Sequence, residues 1–516
     1  MKHQLGLGQR LIANTAVNLV GQAVLLAITF FSMPYITNHF GASLFGVYIL
    51  LITYIEIFSL INATVNTSLV KEVAELLPQG RTQDIQQHFG ITLGIFLGAG
   101  ILIPLIVSAA TPWMVDHALT ISPDMRSQAI IGFWLAGGAF FVRLVSQAFG
   151  SISIAMQRFD ISNYINVGSE MLRIGATVTV IFAGYRLLAV MLVTLATSIL
   201  ALMANILTTK HLMPELRLRP SFSHSHFKEI FHFSKHVLIA KISGRIVSWA
   251  DVGIIGYLRP VADVAFYGVP YSIHARLWAL IANAAVAVFP AASSLSGSNE
   301  REQLRELYLR ATKILVLLSL FPSLALCIYS RNFLTYWMGP VFAEHGALAM
   351  QVLMLACFVS SLSFIPYTVL QCAGHVHTTA QFALGNSVCN VVLFLFLIPR
   401  FGINGAAAGF LLSQLVTAPP LIQFSNRVLD LDWKTVLTKA FLPVFGGIVL
   451  PSLVMLALRP WVSSFESLTV VVGASGIIFV FMAVVMILDT KERMSCWTFL
   501  DALRLSVFSR KQANNA

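Results

Sequence analysis

Fourteen apolar segments, each about 20 residues long, constrain this chain more than any other feature of its sequence. They fall at residues 11–33, 44–66, 89–110, 127–149, 163–183, 187–208, 234–257, 264–290, 311–330, 346–370, 380–399, 404–425, 436–457 and 465–488. A helix rises about 1.5 Å per residue, so each segment matches the roughly 30 Å hydrocarbon core of a bilayer. Lipid offers the backbone no hydrogen-bond partners, and a helix satisfies its own N–H and C=O groups. The expected fold is therefore all-α and polytopic, with about 14 transmembrane helices. Composition agrees: 57% of residues are hydrophobic and 11% charged, against roughly 25% charged in a soluble domain. The first segment, flanked by Lys2 and Arg10, continues past Pro34 without a small-residue cleavage site. It is expected to remain as the first helix.

The formal net charge is +11, a value that in a soluble protein would suggest nucleic acid. Its distribution argues otherwise. With the amino terminus inside, 21 of the 33 Lys and Arg residues fall in cytoplasmic segments, 6 on the opposite side and 6 in or beside spans. That asymmetry follows the positive-inside rule and places both termini in the cytoplasm of a multi-pass inner-membrane protein. Nucleic-acid binding is not expected. The five cysteines have no paired spacing, so neither a disulfide framework nor a zinc site is expected, and no cofactor is called for.

The longest polar connection, residues 209–233, follows the sixth span and carries His224, His226 and His232, with His236 just beyond it. We read this as a cytoplasmic linker between a six-helix lobe at 1–208 and a second at 234–425. Two further spans at 426–488 and a cytoplasmic tail at 489–516 complete the chain. In the tail, Trp497, Leu500, Leu503, Val507 and Phe508 recur at helical spacing and suit an interfacial anchor. Self-similarity supports duplication. Gly41, Phe45, Gly46 and Tyr48 match Pro260, Val264, Ala265 and Tyr267 at an offset of 219, and Tyr185 and Ala189 match Phe401 and Gly405 at 216. Parallel repeats of this kind place a substrate site at the interface between halves.

Three short stretches resemble a known family. Pro399 to Ala407 (PRFGINGAA) resembles the turn of polysaccharide flippases, Gly41 to Tyr48 (GASLFGVY) is similar to the loop after their first helix, and Gln371 to Gly374 (QCAG) to the turn after their tenth. These flippases belong to the multidrug, oligosaccharidyl-lipid and polysaccharide exporter superfamily. The resemblance implies two helical lobes in a V-shaped exporter arrangement and alternating access that moves a lipid-linked oligosaccharide between leaflets. It further implies a monomer embedded in membrane lipids and working beside polysaccharide assembly proteins. Twelve helices are common in the superfamily, and fourteen occur in its polysaccharide-exporter and lipid II flippase branches.

Buried charge narrows the cargo. Arg143, Arg173, Lys241, Arg245, Arg276 and Lys439 lie within or at the ends of spans, whereas the acids there are Glu56, Glu170 and Asp251. A charge near a bilayer centre costs on the order of 3 kcal/mol and faces a bundle interior or wet cavity. Lys241 and Arg245, at i and i+4, share one helix face and suit a diphosphate or acidic sugar; snorkelling to the interface is the structural alternative for Lys241. Arg276 falls mid-span, with cargo binding or pairing with Asp251 or Glu56 as its two readings. Arg143 has a cavity role or snorkelling. Arg173 is expected to pair with Glu170 one turn earlier, and Lys439 to snorkel. Glu56 and Asp251 are the candidates for ion coupling, with a structural role as the alternative. Asn14, Asn18 and Gln22 form an i, i+4, i+8 stripe that either joins helices or meets sugar hydroxyls.

The expected function is a flippase for an undecaprenyl-diphosphate-linked oligosaccharide in surface polysaccharide biosynthesis, without enzymatic activity. A multidrug exporter for organic cations would call for an excess of buried acids, the reverse of what is found. A lipid II flippase shares the fold and is separated by cargo alone. A polysaccharide polymerase or ligase would call for a large extracytoplasmic loop, and the longest here is residues 111–126.

Overall fold

The computed structural model describes residues 7–57, 59–217, 219–221, 250–286, 288–297, 300–489 and 493, with the side chains of 7–20, 22, 23, 57 and 59–64 excluded. Lys241, Arg245, the four linker histidines, most of the span at 234–257 and the apolar tail residues 497–508 lie outside the described residues.

Every described span is helical, and the protein is an all-α polytopic membrane protein. The first part comprises α1 (Leu7–Ile57), α2 (Ser59–Leu76), α3 (Thr82–Trp113), α4 (Arg126–Ala155), α5 (Phe159–Phe182) and α6 (Leu187–Leu212). Residues 250–258 form α7, as far as they are described. There follow α8 (Val261–Val286), α9 (Phe289–Gly297), α10 (Arg301–Ile328), α11 (Ser330–Met338), α12 (Pro340–Ser361) and α13 (Phe364–Cys372). The last are α14 (Val376–Val428), α15 (Trp433–Val436), α16 (Leu442–Leu458) and α17 (Phe465–Met482).

Eleven of the described helical stretches are long and apolar enough to cross a membrane. The difference from the fourteen expected has a local cause. The first two expected spans run together through α1, and those at 380–399 and 404–425 run together through α14. In each case one glycine turns the chain: Gly41 at φ 70, ψ 166 and Gly402 at φ 57, ψ −136. Positive φ of this kind costs a residue with a Cβ and is open to glycine. Both glycines stand in the short motifs that carry the family resemblance. The third missing span is the seventh, largely outside the described residues.

The chain packs as two compact units: Met1–Val269 with Ser387–Ala406, and Pro270–Asn386 with Ala407–Ala516. In the first, polar side chains join apolar helices. Asn205 on α6 donates to Ser146 on α4 at 3.0 Å, Thr209 donates to the Phe149 carbonyl at 3.0 Å, and Ser151 bonds Asn66. Such bonds hold helices together where lipid removes the hydrophobic driving force. The outward faces stay apolar, as Ile101, Leu102, Leu105 and Ile106 of α3 show.

In the second unit, α10 is the central strut. Its Tyr308, Leu315 and Val316 share a core with Val444 and Ile448 of α16 and Phe479 of α17. Phe321 stacks on Phe479 with ring centres 5.2 Å apart. The two C-terminal spans are therefore part of this unit's core.

Candidate substrate site

In the first unit, charged side chains from three helices gather beside α6. Glu170 and Arg173 are one turn apart on α5, so their side chains meet directly. Arg173 Nε donates to Glu170 Oε2 at 2.9 Å, with a second, shorter contact between Nη2 and Oε1. Arg173 Nη1 also donates to the Tyr48 hydroxyl of α1 at 3.3 Å. The ion pair expected from the spacing is present, and it leaves Arg173 committed on both sides.

Arg143 is placed differently. It stands twelve residues before the end of α4, about 18 Å along the axis, too far for a snorkelling explanation. Its Nε donates to Ser198 Oγ on α6 at 3.2 Å. Ser198 in turn donates to the Thr194 carbonyl at 2.7 Å, which turns its lone pairs toward the guanidinium. Among the described residues, Arg143 makes no ion pair within bonding distance. The charges acting on it are Arg173, Glu170 and Glu56. Glu56, near the end of α1, is exposed.

Asp251 on α7 is fully buried, and both of its oxygens are engaged. Oδ2 accepts from the hydroxyl of the equally buried Tyr267 at 2.8 Å, and Oδ1 from the Val252 N–H at 2.7 Å. This carboxylate joins α7 to the first turns of α8.

Arg276 belongs to the second unit and lies mid-way along α8, six residues beyond Pro270. Its Nη1 is buried without a hydrogen-bond partner, and it makes no ion pair among the described residues. Its neighbour His274 is fixed instead: Nδ1 donates to the Leu353 carbonyl at 2.9 Å, and Phe410 packs edge-on with centroids 4.9 Å apart. Asn14, Asn18 and Gln22 keep their i, i+4, i+8 register on the backbone of α1, and their side chains lie outside the described residues. Lys439 is exposed.

A separate cavity of about 340 Å³ opens at the end of the second unit, beside Arg301, Leu304, His375 and Leu429. Its ionic rim is balanced. Arg301 and Arg305 both approach Asp430, at 3.9 and 3.1 Å, and Arg305 also approaches Glu302 at 3.3 Å.

Lys313 is the residue that linear inspection misplaces. Counted with the cytoplasmic charges, it is 5% exposed within α10. Its Nζ donates to the Ile487 carbonyl at 3.3 Å and to Asp489 at 3.4 Å. Its position two residues inside the apolar segment was the available signal.

Comparison with known proteins agrees with this architecture. The family model described as polysaccharide biosynthesis protein matches residues 41–345. A protein of Shigella flexneri assigned as a candidate O-antigen transporter is 23% identical over 414 residues, 79% of this chain and 96% of its own. A Haloferax volcanii protein, assigned as a candidate flippase of low-salt glycan biosynthesis, is 24% identical over 410 residues, 76% of this chain and 77% of its own. Among solved structures, the lipid II flippase MurJ in an inward closed conformation superposes with a TM-score of 0.69 at 13% identity, covering 92% of this chain and 97% of that one. With the family model matching well over half the sequence and the exporter fold matching nearly all of it, the chain belongs to the polysaccharide biosynthesis protein family.

Proposed function

We propose that this protein is a flippase that moves an undecaprenyl-diphosphate-linked oligosaccharide across the bacterial cytoplasmic membrane for surface polysaccharide assembly. Family membership and the transporter and flippase assignments of its relatives support transport rather than catalysis. The observation that carries the anionic cargo is Arg276, half-buried mid-way along an apolar helix, whose Nη1 is buried and bonds nothing among the described residues. Removing a cation from water without a partner is costly, so such a group is retained for a ligand that supplies one. A diphosphate presents oxygens that guanidinium groups bind in pairs. Arg143, which bonds Ser198, and Lys241 and Arg245 are the further candidates for the cargo's charge. Asn14, Asn18 and Gln22 meet the sugar.

Glu56 is the coupling carboxylate in this reading, because it is exposed whereas Asp251 is sealed from solvent. The six-helix lobes at 1–208 and 234–425 alternate access as a monomer in membrane lipids, alongside polysaccharide assembly proteins, with both termini cytoplasmic. Reporter fusions after residues 120 and 220 are expected on opposite sides.

The test is surface polysaccharide in a strain lacking the native gene, normalised to inserted protein. Arg276→Ala and Arg143→Ala are each expected to lower export at least tenfold, Arg276→Lys to restore part of it, and Arg276→Glu to be worse than Ala. Normal export by both Ala variants refutes the cationic site. Export of organic cations by the wild type in place of polysaccharide refutes the cargo.

A further inference from the structure

The turn between α7 and α8 leaves two backbone groups without helical partners, and one residue from the loop between α3 and α4 satisfies both. Within α7, the Gly256 carbonyl would accept from the N–H four residues later, but residue 260 is proline and has none. At the start of α8, the Val261 N–H is one of the donors that every helix leaves unpaired. Gly256 and Val261 are both buried, where an unmade backbone bond is expensive. Thr120 supplies the missing partners: its N–H donates to the Gly256 carbonyl at 3.2 Å and its carbonyl accepts from the Val261 N–H at 3.2 Å.

The segment carrying Thr120 is itself held in shape. Leu119 N–H donates to the Met114 carbonyl at 2.7 Å, and Ile121 N–H to the Leu119 carbonyl at 2.9 Å. Around this bridge the packing is close. A methyl placed on Gly46 of α1 would overlap the Val261 carbonyl, and one on Gly256 would lie 3.1 Å from Leu50 and 3.5 Å from Leu119. Arg259, paired with Asp263 at 3.0 Å, lies 3.4 Å from where a methyl on Gly402 would stand.

We propose that residues 119–121 form a backbone latch that fastens the α7–α8 turn to the N-terminal helices and must release whenever the transporter opens on the side bearing the 111–126 loop. The inference rests on the transporter reading above, since it assumes that the sequence halves containing Thr120 and Val261 part on that side during the cycle. A main-chain latch suits such a task. Its two hydrogen bonds are each worth little net when water can replace them, yet both are demanded while the junction is dry.

Proline substitution deletes each bond. Leu119 has φ −113 and ψ 136, the extended conformation favoured before proline, so Thr120→Pro removes one donor. Val261 is the first residue of α8, where proline is well tolerated, so Val261→Pro removes the other. Thr120→Ala keeps both bonds and is the control.

The test uses full-length protein in intact cells, with its native cysteines replaced and Leu50→Cys introduced as reporter. Labelling by a membrane-impermeant maleimide from the 111–126 side is expected to rise about fivefold in each proline variant, the effect of one net hydrogen bond, and to be unchanged in Thr120→Ala. In a second arm, Leu119→Cys paired with Gly256→Cys is cross-linked through its thiols and then reduced. Export is expected to stop on cross-linking and return on reduction.

Unchanged labelling in both inserted, monodisperse proline variants overturns the latch, as does full export by the cross-linked pair. If neither proline variant folds, the cross-link arm decides. Labelling requires no cargo, so a failed flippase assignment leaves that arm standing.

Discussion

Arg143 on α4 donates to Ser198 on α6 at 3.2 Å, whereas Arg173 on α5 is claimed by Glu170 and Tyr48. Two arginines in neighbouring apolar helices thus have different tasks: one is a structural member of an ion pair, the other retains bonding capacity.

Substitution should separate them. Arg173→Ala strands Glu170 in a partly buried site and is expected to cost about 2 kcal/mol, visible as a lower melting temperature of the detergent-solubilised protein. Arg143→Ala gives up a single bond to a neutral hydroxyl, so its melting temperature should stay within about 2 °C of wild type while export collapses. Equal destabilisation by both would contradict this division.

The two candidate coupling acids should also part. Glu56→Gln is expected to remove the pH or sodium dependence of transport into vesicles. Asp251→Ala deprives the Tyr267 hydroxyl and the Val252 N–H of a buried acceptor and should cost about 2 kcal/mol. Transport by the milder Asp251→Asn should keep its ion dependence. Loss of that dependence in Asp251→Asn, with Glu56→Gln unaffected, would exchange the assignments.

Gly46 has no room for a side chain beside the Val261 carbonyl. Gly46→Ala is expected to destabilise by about 2 kcal/mol through overpacking. Gly253→Ala, on an open face of α7, should be neutral or slightly stabilising, because alanine is the better helix former. Thermal unfolding followed by size-exclusion chromatography compares the two directly.

Lys313→Met keeps the aliphatic stem and removes the ammonium that holds the Ile487 carbonyl and Asp489. Hydrogen exchange over Ala483–Ile487, the wide helical turn after α17, should accelerate about fivefold, with α10 unchanged. Unaltered exchange there would show that the core residues Phe479 and Ile487 alone fasten the last helix.

The helical class, the approximate spans and the Glu170–Arg173 pair were legible in the amino-acid order, because these depend on hydropathy over about 20 residues or on spacing within one turn. The glycine-bearing motifs at Gly41 and Gly402 were also visible, although their positive φ values emerge only from the backbone. Tertiary structure decided the rest. Asp251 meets Tyr267 across a helix break, Arg143 meets Ser198 fifty-five residues away, and Lys313 reaches Asp489 across 176 residues. It also decided that Thr120 would complete the backbone bonding that Pro260 interrupts. No local period encodes such partners. Each depends on which helix faces pack together, and a buried polar group takes whatever bond that packing brings within reach.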